Sequence, residues 1–312
     1  MNGGPARARA VATRFRERFG GSPQVFSAPG RVNLIGEHTD YSGGLAFPLA
    51  VAERTWVATV RRPDRTVRAY SLELRKERTF SLDAAFERRG KWLDYVEGVA
   101  RALIARGVAV PGADLYVTSD VPLGAGLSSS AALELAVGLA LTTLAGATLP
   151  PFELARVGQS AENEFVGVRS GVMDQLASAL GREGHALFID CRSLEVTPVA
   201  IPDAEVELVV ADTAVKHSHA ASGYNQRRAE CQRALEVLAE KGRPVESLRE
   251  LSVEGLEPVL RLLPDPLGRR VRHVVSENAR TAAAVDALRR GHFTSLGRLM
   301  NGSHASLRDD YE

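Results

Sequence analysis

Cysteine, lysine and aromatic residues are all scarce in this chain. Of its 312 residues, 2 are cysteines, and aromatic residues make up 6%. Cys191 and Cys231 form no CxxC pair and are too few for a disulfide framework, so we predict a reducing, cytoplasmic location. The formal net charge is only +1, which leaves no basic excess for binding nucleic acid or an anionic membrane, and the basic residues are almost all arginine.

Leader-like and membrane-like segments are also lacking. The first twenty residues contain no apolar core, so we expect no secretory signal. The run 135–152 carries no charge, but it contains Gly138 and Gly146 and ends at two prolines. We interpret it as a helix buried in a soluble core rather than a membrane span. For the protein as a whole, we predict a monomer that binds only small molecules.

Hydrophobic periodicity predicts strands and helices in an irregular order. The spacing of Val11, Phe15 and Phe19 predicts a short amphipathic helix. The predicted strands are 24–28, 53–61, 66–72, 114–118, 185–190 and 205–212, with 66–72 expected to pair with 53–61. The predicted longer helices are 92–106, 128–144, 151–165, 222–241 and 272–290, and 241–269 is predicted to form short helices and connections. Adjacent strand runs favour an α+β fold, with domains at 1–185 and 186–312.

A glycine- and serine-rich segment, DVPLGAGLSSSAA at 120–132, lies between a predicted strand and a predicted helix. Glycines let the backbone approach an anion closely, and the free N–H groups at a helix start favour phosphate. A glycine/serine turn with a serine N-cap is the structural alternative, which three successive serines weaken. No GxxxxGK[ST], GxGxxG, HRD or DFG motif occurs, so the segment is neither a Walker loop nor a protein-kinase element.

Two further segments concentrate polar side chains. APGRVNLIGEHTDYSGG at 28–44 interleaves Arg31, Glu37, His38 and Asp40 with apolar residues, a set that suits the hydroxyl groups of a carbohydrate better than a solvated loop. In SGVMDQ at 170–175, Asp174 lies among apolar neighbours and is either a helix cap or a functional carboxylate. Glu162 and Glu164 lie near the end of a predicted helix, where the dipole disfavours acids unless a cation is present.

These segments together resemble the galactokinase family. GRVNLIGEHTDY resembles the galactokinase signature, and PLGAGLSSSAA resembles the phosphate-binding motif of the wider GHMP kinase superfamily. SGVMDQ, GHALFIDCRSLE and SGYNQRRAEC follow in the order typical of galactokinases. The resemblance implies a two-lobed GHMP kinase fold with a ribosomal protein S5 domain 2-like N-terminal lobe and a ferredoxin-like C-terminal lobe.

The resemblance also implies a role for each matching residue. Asp174 would accept the proton of the sugar C1 hydroxyl, and Arg31 would stabilise the transferring phosphoryl group and keep Asp174 ionised. Mg²⁺ would be held by Ser130 and Glu162, and Ser71 and Trp92 would flank the nucleotide. The expected galactose-binding residues are Glu37, His38, Thr39, Asp40, Gly171 and Tyr224. The expected contacts of the ATP phosphates are Gly124, Ala125, Gly126, Leu127, Ser128, Ser129 and Ser130.

The chain departs from the family pattern at two places. Ser170 replaces a usual cysteine, with little consequence expected, and no glycine-rich motif resembling TGGGFGG precedes the last residue, Glu312. We therefore expect an incomplete C-terminal lobe. The alternatives left open are a kinase for N-acetylgalactosamine or arabinose, a catalytically silent sugar sensor, and a fragment that does not fold. His185, His217 and His219 fit no strong metal-binding spacing and are expected on the surface.

Overall fold

The computed structural model describes residues 4–202, 206–212 and 220–312. Within these ranges the α-helices are α1 (Gly4–Phe19), α2 (Leu93–Ala105), α3 (Ser129–Leu144), α4 (Pro151–Ser160), α5 (Met173–Leu180), α6 (Ala220–Glu240), α7 (Leu256–Leu260), α8 (Leu267–Arg289) and α9 (Phe293–Ser306). The β-strands are β1 (Gln24–Asn33), β2 (Leu45–Ala46), β3 (Pro48–Arg61), β4 (Thr66–Ser71), β5 (Lys76–Ser81), β6 (Ala113–Ser119), β7 (His185–Asp190) and β8 (Glu195–Ala200). Short 3₁₀ turns lie at Asp40–Ser42 and Leu248–Glu250, and π-turns at Ala161–Val166 and Leu307–Tyr311.

The chain divides into two compact units, each built from separate stretches of sequence. The first unit comprises Met1–Arg31, Val51–Gly167 and Asp174–Leu180, and the second comprises Val32–Ala50, Val168–Met173 and Gly181–Glu312. The chain therefore passes from one unit to the other directly after Arg31 and again directly before Asp174. The division of domains at residue 185 stays a prediction.

The first unit is organised around a five-stranded sheet in the order β1-β3-β6-β4-β5. On one face, Val11 and Phe15 of α1 pack against Trp56 of β3 and Tyr116 of β6. The next residue along β3, Val57, points to the opposite face, where α2 and α3 form the main apolar core. Because side chains alternate along each strand, the sheet buries apolar residues on both faces, one against α1 and the other against α2 and α3.

The predicted pairing of 66–72 with 53–61 is wrong. β6 lies between the two strands, antiparallel to β3 and parallel to β4, and β4 also pairs with β5. Six of the seven residues of β6 are buried, so this strand gains most from the central place in the sheet. The short connection between β3 and β4 predicts a hairpin, but the strand order is instead the one that buries β6 between them.

The second unit contains a three-stranded antiparallel sheet in the order β2-β7-β8, together with α6 to α9. One core cluster joins Ile35 and Phe47 to Ala284 and Val285 of α8. A second cluster joins Cys231 and Ala234 of α6 to Val271 and Val274 of α8. Because α8 contributes to both clusters, this 23-residue helix is the central support of the unit.

Several predicted elements are confirmed and others are wrong in part. The predicted strand at 205–212 is wrong where described: residues 206–212 form no strand, and Leu208, Val209 and Val210 are exposed. An apolar run becomes a strand only when another backbone completes its hydrogen bonds. β1 continues past Pro29-Gly30 to Asn33, and the predicted helix 151–165 ends as α4 at Ser160 and continues as a π-turn.

The helices predicted at 92–106, 128–144, 222–241 and 272–290 are confirmed as α2, α3, α6 and α8, with ends shifted by a few residues. Gly107 follows α2 with φ of 82°, as predicted for the residue after a helix end. The elements that were not predicted are β2, β5, β8, α5 and α9. In the part of the chain that the structure describes, no helix combines the length and the apolar character that crossing a membrane requires.

Candidate active site

Arg31 and Asp174 form a close ion pair in the first unit. The guanidinium donates from Nε at 2.8 Å and contacts through Nη2 at 2.7 Å, both to Oδ1 of Asp174. Both side chains are mostly shielded from solvent, at 14% and 24% exposure. Asp174 belongs to the first turn of α5, whose N-cap residue is Val172. Of the two roles left open by the sequence, the charged partner therefore favours a functional carboxylate over a helix cap.

Ser128 occupies the other oxygen of the same carboxylate. Its Oγ donates to Oδ2 of Asp174 at 2.5 Å, and its backbone has φ of 53°, in the left-handed region. Ser128 is the N-cap residue of α3, yet among the described residues its side chain makes no capping bond. The first N–H groups of α3 consequently lack a serine cap, and the positive end of the helix dipole is available to an anion.

The glycine-rich loop before α3 has the backbone that its sequence predicts. Gly124 and Gly126 adopt φ of 81° and 72°, which residues with a Cβ rarely reach. Arg31 Nη1 donates to the Gly126 carbonyl at 2.7 Å, and the Arg31 N–H donates to the Leu127 carbonyl at 3.1 Å. Arg31 thus joins the Asp174 carboxylate to the glycine-rich loop within one unit.

Two buried carboxylates and one amide form a connected group beside α3. Gln175 Nε2 donates to Oε2 of Glu134 at 2.9 Å and to Oε2 of Glu162 at 3.0 Å. All three side chains are buried. Burial, and then the charge of Glu162, raises the pKa of Glu134 well above its usual range. Burial beside the same two acids also raises the pKa of Tyr95.

This group meets the chemical requirement for a magnesium site. Ser130 lies one helical turn before Glu134 on the same face of α3, which directs it toward the side where Gln175 and Glu162 lie. Hydroxyl and carboxylate oxygens are the hard ligands that Mg²⁺ takes, usually together with waters and phosphate oxygens. The π-turn places Glu162 in a buried position, and such turns frequently occur at functional sites. No cluster of three or more His, Cys, Asp or Glu ligands exists among the described residues.

In the second unit, the segment 36–44 forms a loop with unusual backbone geometry. Gly36 adopts φ of 93°, and a Cβ there would lie 2.5 Å from the Leu45 carbonyl oxygen. His38 adopts φ of 58°, a costly conformation for a residue with a side chain. The buried Thr39 hydroxyl donates to the carbonyls of Gly36 and Leu45, so its visible role is to close the loop. A direct contact of Thr39 with sugar stays a prediction.

Asp40 is held by three neighbours in the second unit. Its Oδ1 accepts from the Tyr41 N–H at 3.0 Å and from the Tyr224 hydroxyl at 3.2 Å. A Cβ on Gly171 would overlap the Asp40 carboxylate, so only glycine fits at 171. The sequence-predicted residues Asp40, Gly171 and Tyr224 are therefore brought together.

Aromatic rings surround His38. The rings of Tyr224 and Tyr311 lie 5.2 Å and 4.9 Å from it, and Nδ1 lies 3.1 Å from the Tyr41 hydroxyl. Burial, followed by the charges of His273 and Arg227, lowers the pKa of His38 to about 4. The imidazole is therefore neutral near pH 7 and can both donate and accept a hydrogen bond.

The two residues expected beside the nucleotide have mainly structural contacts. The buried Ser71 accepts a bond from the Leu74 N–H at 3.3 Å in the turn after β4. Trp92 packs against the main core, and its indole N–H is buried without a partner among the described residues. Their roles in nucleotide binding stay predictions.

Comparison with known proteins decides the family. Residues 13–61 match the galactokinase galactose-binding signature, and residues 94–182 match the N-terminal domain of GHMP kinases. The chain is 50% identical to the galactokinase of Chloroflexus aurantiacus over 299 residues, which is 95% of this chain and 76% of that protein. It is 47% identical to the galactokinase of Roseiflexus sp. over 300 residues, or 96% of this chain and 76% of that protein. The chain belongs to the galactokinase family.

A solved structure supports the same assignment. The crystal structure of Lactococcus lactis galactokinase complexed with galactose matches with a TM-score of 0.88 and 37% identity, covering 97% of this chain and 80% of that chain. The expected α+β GHMP kinase fold and the expected kinase class are therefore confirmed for this galactokinase. ATP is the co-substrate that a kinase of this family uses.

Three groups of contacts at the candidate sites of this galactokinase were not predicted from the sequence. One is the bond from Ser128 to Asp174, and another is the Gln175 amide between two buried acids. The third is the set of polar side chains on α8 that hold the loop 36–45, among them Glu277. In the sequence, the signal for them was the presence of polar residues on an otherwise apolar helix face.

His185, one of three histidines considered for a metal, is partly buried, and its Nδ1 forms a hydrogen bond with the Glu183 carbonyl.

The other two histidines considered for a metal, His217 and His219, lie outside the described residues.

Proposed function

We propose that this galactokinase transfers the γ-phosphoryl group of ATP to the C1 hydroxyl of α-D-galactose, giving galactose 1-phosphate and ADP. The observation that carries the proposal is the group formed by Arg31, Asp174 and Ser128, joined directly to the glycine-rich loop. The galactokinase relatives, at 50% and 47% identity, support galactose as the acceptor.

The chemistry requires one proton acceptor and one compensating charge. The C1 hydroxyl gives its proton to Asp174 while its oxygen forms a bond to the γ-phosphorus. The bond between that phosphorus and the oxygen that bridges to the β-phosphate breaks, and ADP leaves. Phosphoryl transfer depends mainly on positioning and charge stabilisation, and the Arg31 guanidinium supplies positive charge beside the acceptor carboxylate.

The ATP phosphates would bind to the N–H groups of the loop and the start of α3. The assigned residues are Gly124, Ala125, Gly126, Leu127, Ser128, Ser129 and Ser130. The Ser130 hydroxyl and the Glu162 carboxylate would hold Mg²⁺, which neutralises phosphate charge when it is bound. The hydrogen bond from Gln175 Nε2 to Oε2 of Glu162 fixes the orientation of this carboxylate.

The sugar would be bound by residues of the second unit. Glu37, His38 and Asp40 offer carboxylates and a neutral imidazole, and the Tyr224 hydroxyl orients Asp40. Polar side chains fixed by other contacts discriminate strongly between substrates that can and cannot complete their hydrogen bonds. This arrangement supports recognition of a polyhydroxylated ligand.

A test of the proposed function is phosphate transfer from MgATP to a panel of monosaccharides, with the products identified by mass. We expect galactose 1-phosphate as the main product. Faster transfer to N-acetylgalactosamine or arabinose would show that the faster-reacting sugar, and not galactose, is the preferred substrate. Absence of any product, with galactose still raising the unfolding temperature, would indicate a sugar sensor instead. Cytoplasmic location and a monomeric state are part of the proposal, and sedimentation analysis tests the latter.

A further inference from the structure

Side chains on one face of α8 form hydrogen bonds with the backbone of the loop 36–45. Glu277 Oε1 accepts the Gly36 N–H at 2.9 Å and the Glu37 N–H at 3.3 Å. One turn earlier on the helix, His273 Nε2 lies 3.0 Å from the Glu37 carbonyl oxygen. Because residues four apart share a helix face, the two side chains meet the N–H and the C=O of the same loop residue.

The far end of the loop is attached to the same helix. Asn278 Oδ1 accepts the Leu45 N–H at 2.8 Å, and a Cβ on Gly44 would lie 2.5 Å from that oxygen. His273, Glu277 and Asn278 are all buried. The loop is thus held at both ends by side chains that have no access to bulk water.

The hydrogen-bond roles in this group are determined by its chemistry. A carbonyl oxygen only accepts, so His273 Nε2 must carry the hydrogen that bonds to Glu37. His273 Nδ1 lies 3.0 Å from the Ser306 hydroxyl. Glu277 also accepts from the Ser303 hydroxyl at 2.6 Å and pairs with Arg280 at 2.8 Å. These additional partners keep both side chains in one orientation.

The loop needs such support because its backbone is strained. His38 has φ of 58°, which is costly for a residue with a Cβ, whereas Gly36 takes φ of 93°, which glycine adopts readily. Strained conformations persist only where surrounding contacts over-determine them, and they cluster at ligand sites. The Glu37 side chain leaves the backbone at a residue that α8 holds, and His38 is the next residue along the loop.

We propose that His273 and Glu277 are positioning residues, which fix the backbone of Gly36 and Glu37 so that the loop side chains are preorganised for galactose. The proposal rests on the proposed function, in which Glu37, His38 and Asp40 bind the sugar. It predicts that the affinity for sugar depends on His273 and Glu277, although neither side chain contacts the ligand. Preorganised ligand groups bind more tightly because less conformational freedom is lost on binding.

The test compares substitutions at His273 with a matched control in the full chain. His273→Phe keeps a buried ring but removes the N–H donor, whereas His273→Gln keeps an N–H near the same place. Thr142→Val is the control, since Thr142 is also buried and its hydroxyl donates within its own helix, α3, to the Gly138 carbonyl. Glu277→Ala provides a second, independent loss of loop contacts.

Two measurements separate positioning from general stability. For His273→Phe we expect the KM for galactose to rise about fivefold to tenfold, as loss of one buried hydrogen bond implies, with the KM for ATP changed less than about twofold. His273→Gln should recover most of the galactose affinity, and Thr142→Val should leave it unchanged. Equal changes in both KM values, or no rescue by glutamine, would overturn the proposal.

Hydrogen exchange of the free protein gives a readout that does not depend on catalysis. The amides of Gly36 and Glu37 should be protected in the unsubstituted chain and should exchange faster in Glu277→Ala and His273→Phe. Unchanged protection in both variants would refute the positioning role even if activity fell. If the unsubstituted chain neither binds nor phosphorylates galactose, the proposed function fails, and exchange alone decides whether α8 positions the loop.

Discussion

Ser128 Oγ donates a 2.5 Å hydrogen bond to Oδ2 of Asp174, although Ser128 occupies the N-cap position of α3. A serine at this position ordinarily bonds to an N–H of its own helix. Here the hydroxyl instead orients the carboxylate that we assign as the proton acceptor, and Arg31 holds the other oxygen. The left-handed backbone of Ser128 is consistent with a position set by this contact.

Replacing Asp174 by asparagine should abolish turnover while retaining galactose binding. The amide preserves size and polarity but cannot accept the proton of the C1 hydroxyl, and loss of such a group costs about 10²- to 10⁴-fold in rate. Product mass measures turnover, and calorimetry measures galactose affinity. The control is Asp83→Asn, at a carboxylate that is 65% exposed. Turnover at the normal rate in Asp174→Asn would exclude Asp174 as the base.

Ser130→Ala and Glu162→Gln should weaken the response to Mg²⁺ more than the affinity for galactose. Ser130→Ala removes a hydroxyl oxygen from the proposed site, and Glu162→Gln replaces an anionic carboxylate with a neutral amide. A titration of activity against Mg²⁺ should shift its midpoint upward by at least about tenfold for Glu162→Gln, the change that also removes charge. Glu164→Gln is the matched control, because Glu164 lies on the same π-turn but is exposed. Identical Mg²⁺ titrations for all variants would remove both residues from the metal site.

Gly171→Ala should raise the KM for galactose, because the added methyl group would displace the Asp40 carboxylate. We expect a rise of about tenfold or more, the usual effect of moving one charged ligand group. Gly297→Ala is the control, since a Cβ there meets no atom within 4 Å and lies within α9. That change should leave activity intact and slightly stabilise the helix. A normal galactose KM in Gly171→Ala would show that Asp40 is not a sugar ligand.

The low pKa of His38 predicts a loss of stability in mild acid. In the unfolded chain the histidine takes up a proton near pH 6.5, whereas in the folded protein it does so only near pH 4. The free energy of unfolding should therefore be unaffected above pH 6.5 and should fall between pH 6.5 and 4, by roughly 3 kcal/mol at most. Urea unfolding at several pH values measures this change in the free energy of unfolding.

The matched comparison for this pH effect is His38→Gln against His304→Gln. His38→Gln should flatten the pH dependence in that range, whereas substitution of the exposed His304 should leave it as it is in the unsubstituted chain. An unaltered slope in His38→Gln would show that His38 does not carry the effect.

Local sequence determined several features of this galactokinase without any tertiary information. Helix α3 follows from a largely apolar run preceded by glycines and serines, and Gly124 and Gly126 can adopt a positive φ because they have no Cβ. The resemblance of the motifs to galactokinases gave the residues of both proposed sites. Each of these depends on neighbours along the chain, where local geometry is decisive.

Tertiary structure decided which distant residues meet. Residues 206–212 have the apolar pattern of a strand but form no strand in the part of the chain that the structure describes, and β6 separates two strands that are neighbours in sequence. Likewise, His273 and Glu277 contact a loop about 240 residues earlier in the chain, as their hydrogen bonds to Glu37 and Gly36 show. Sequence periodicity reports which face of an element is buried, but the partner of a buried polar group depends on three-dimensional packing, which no local pattern encodes.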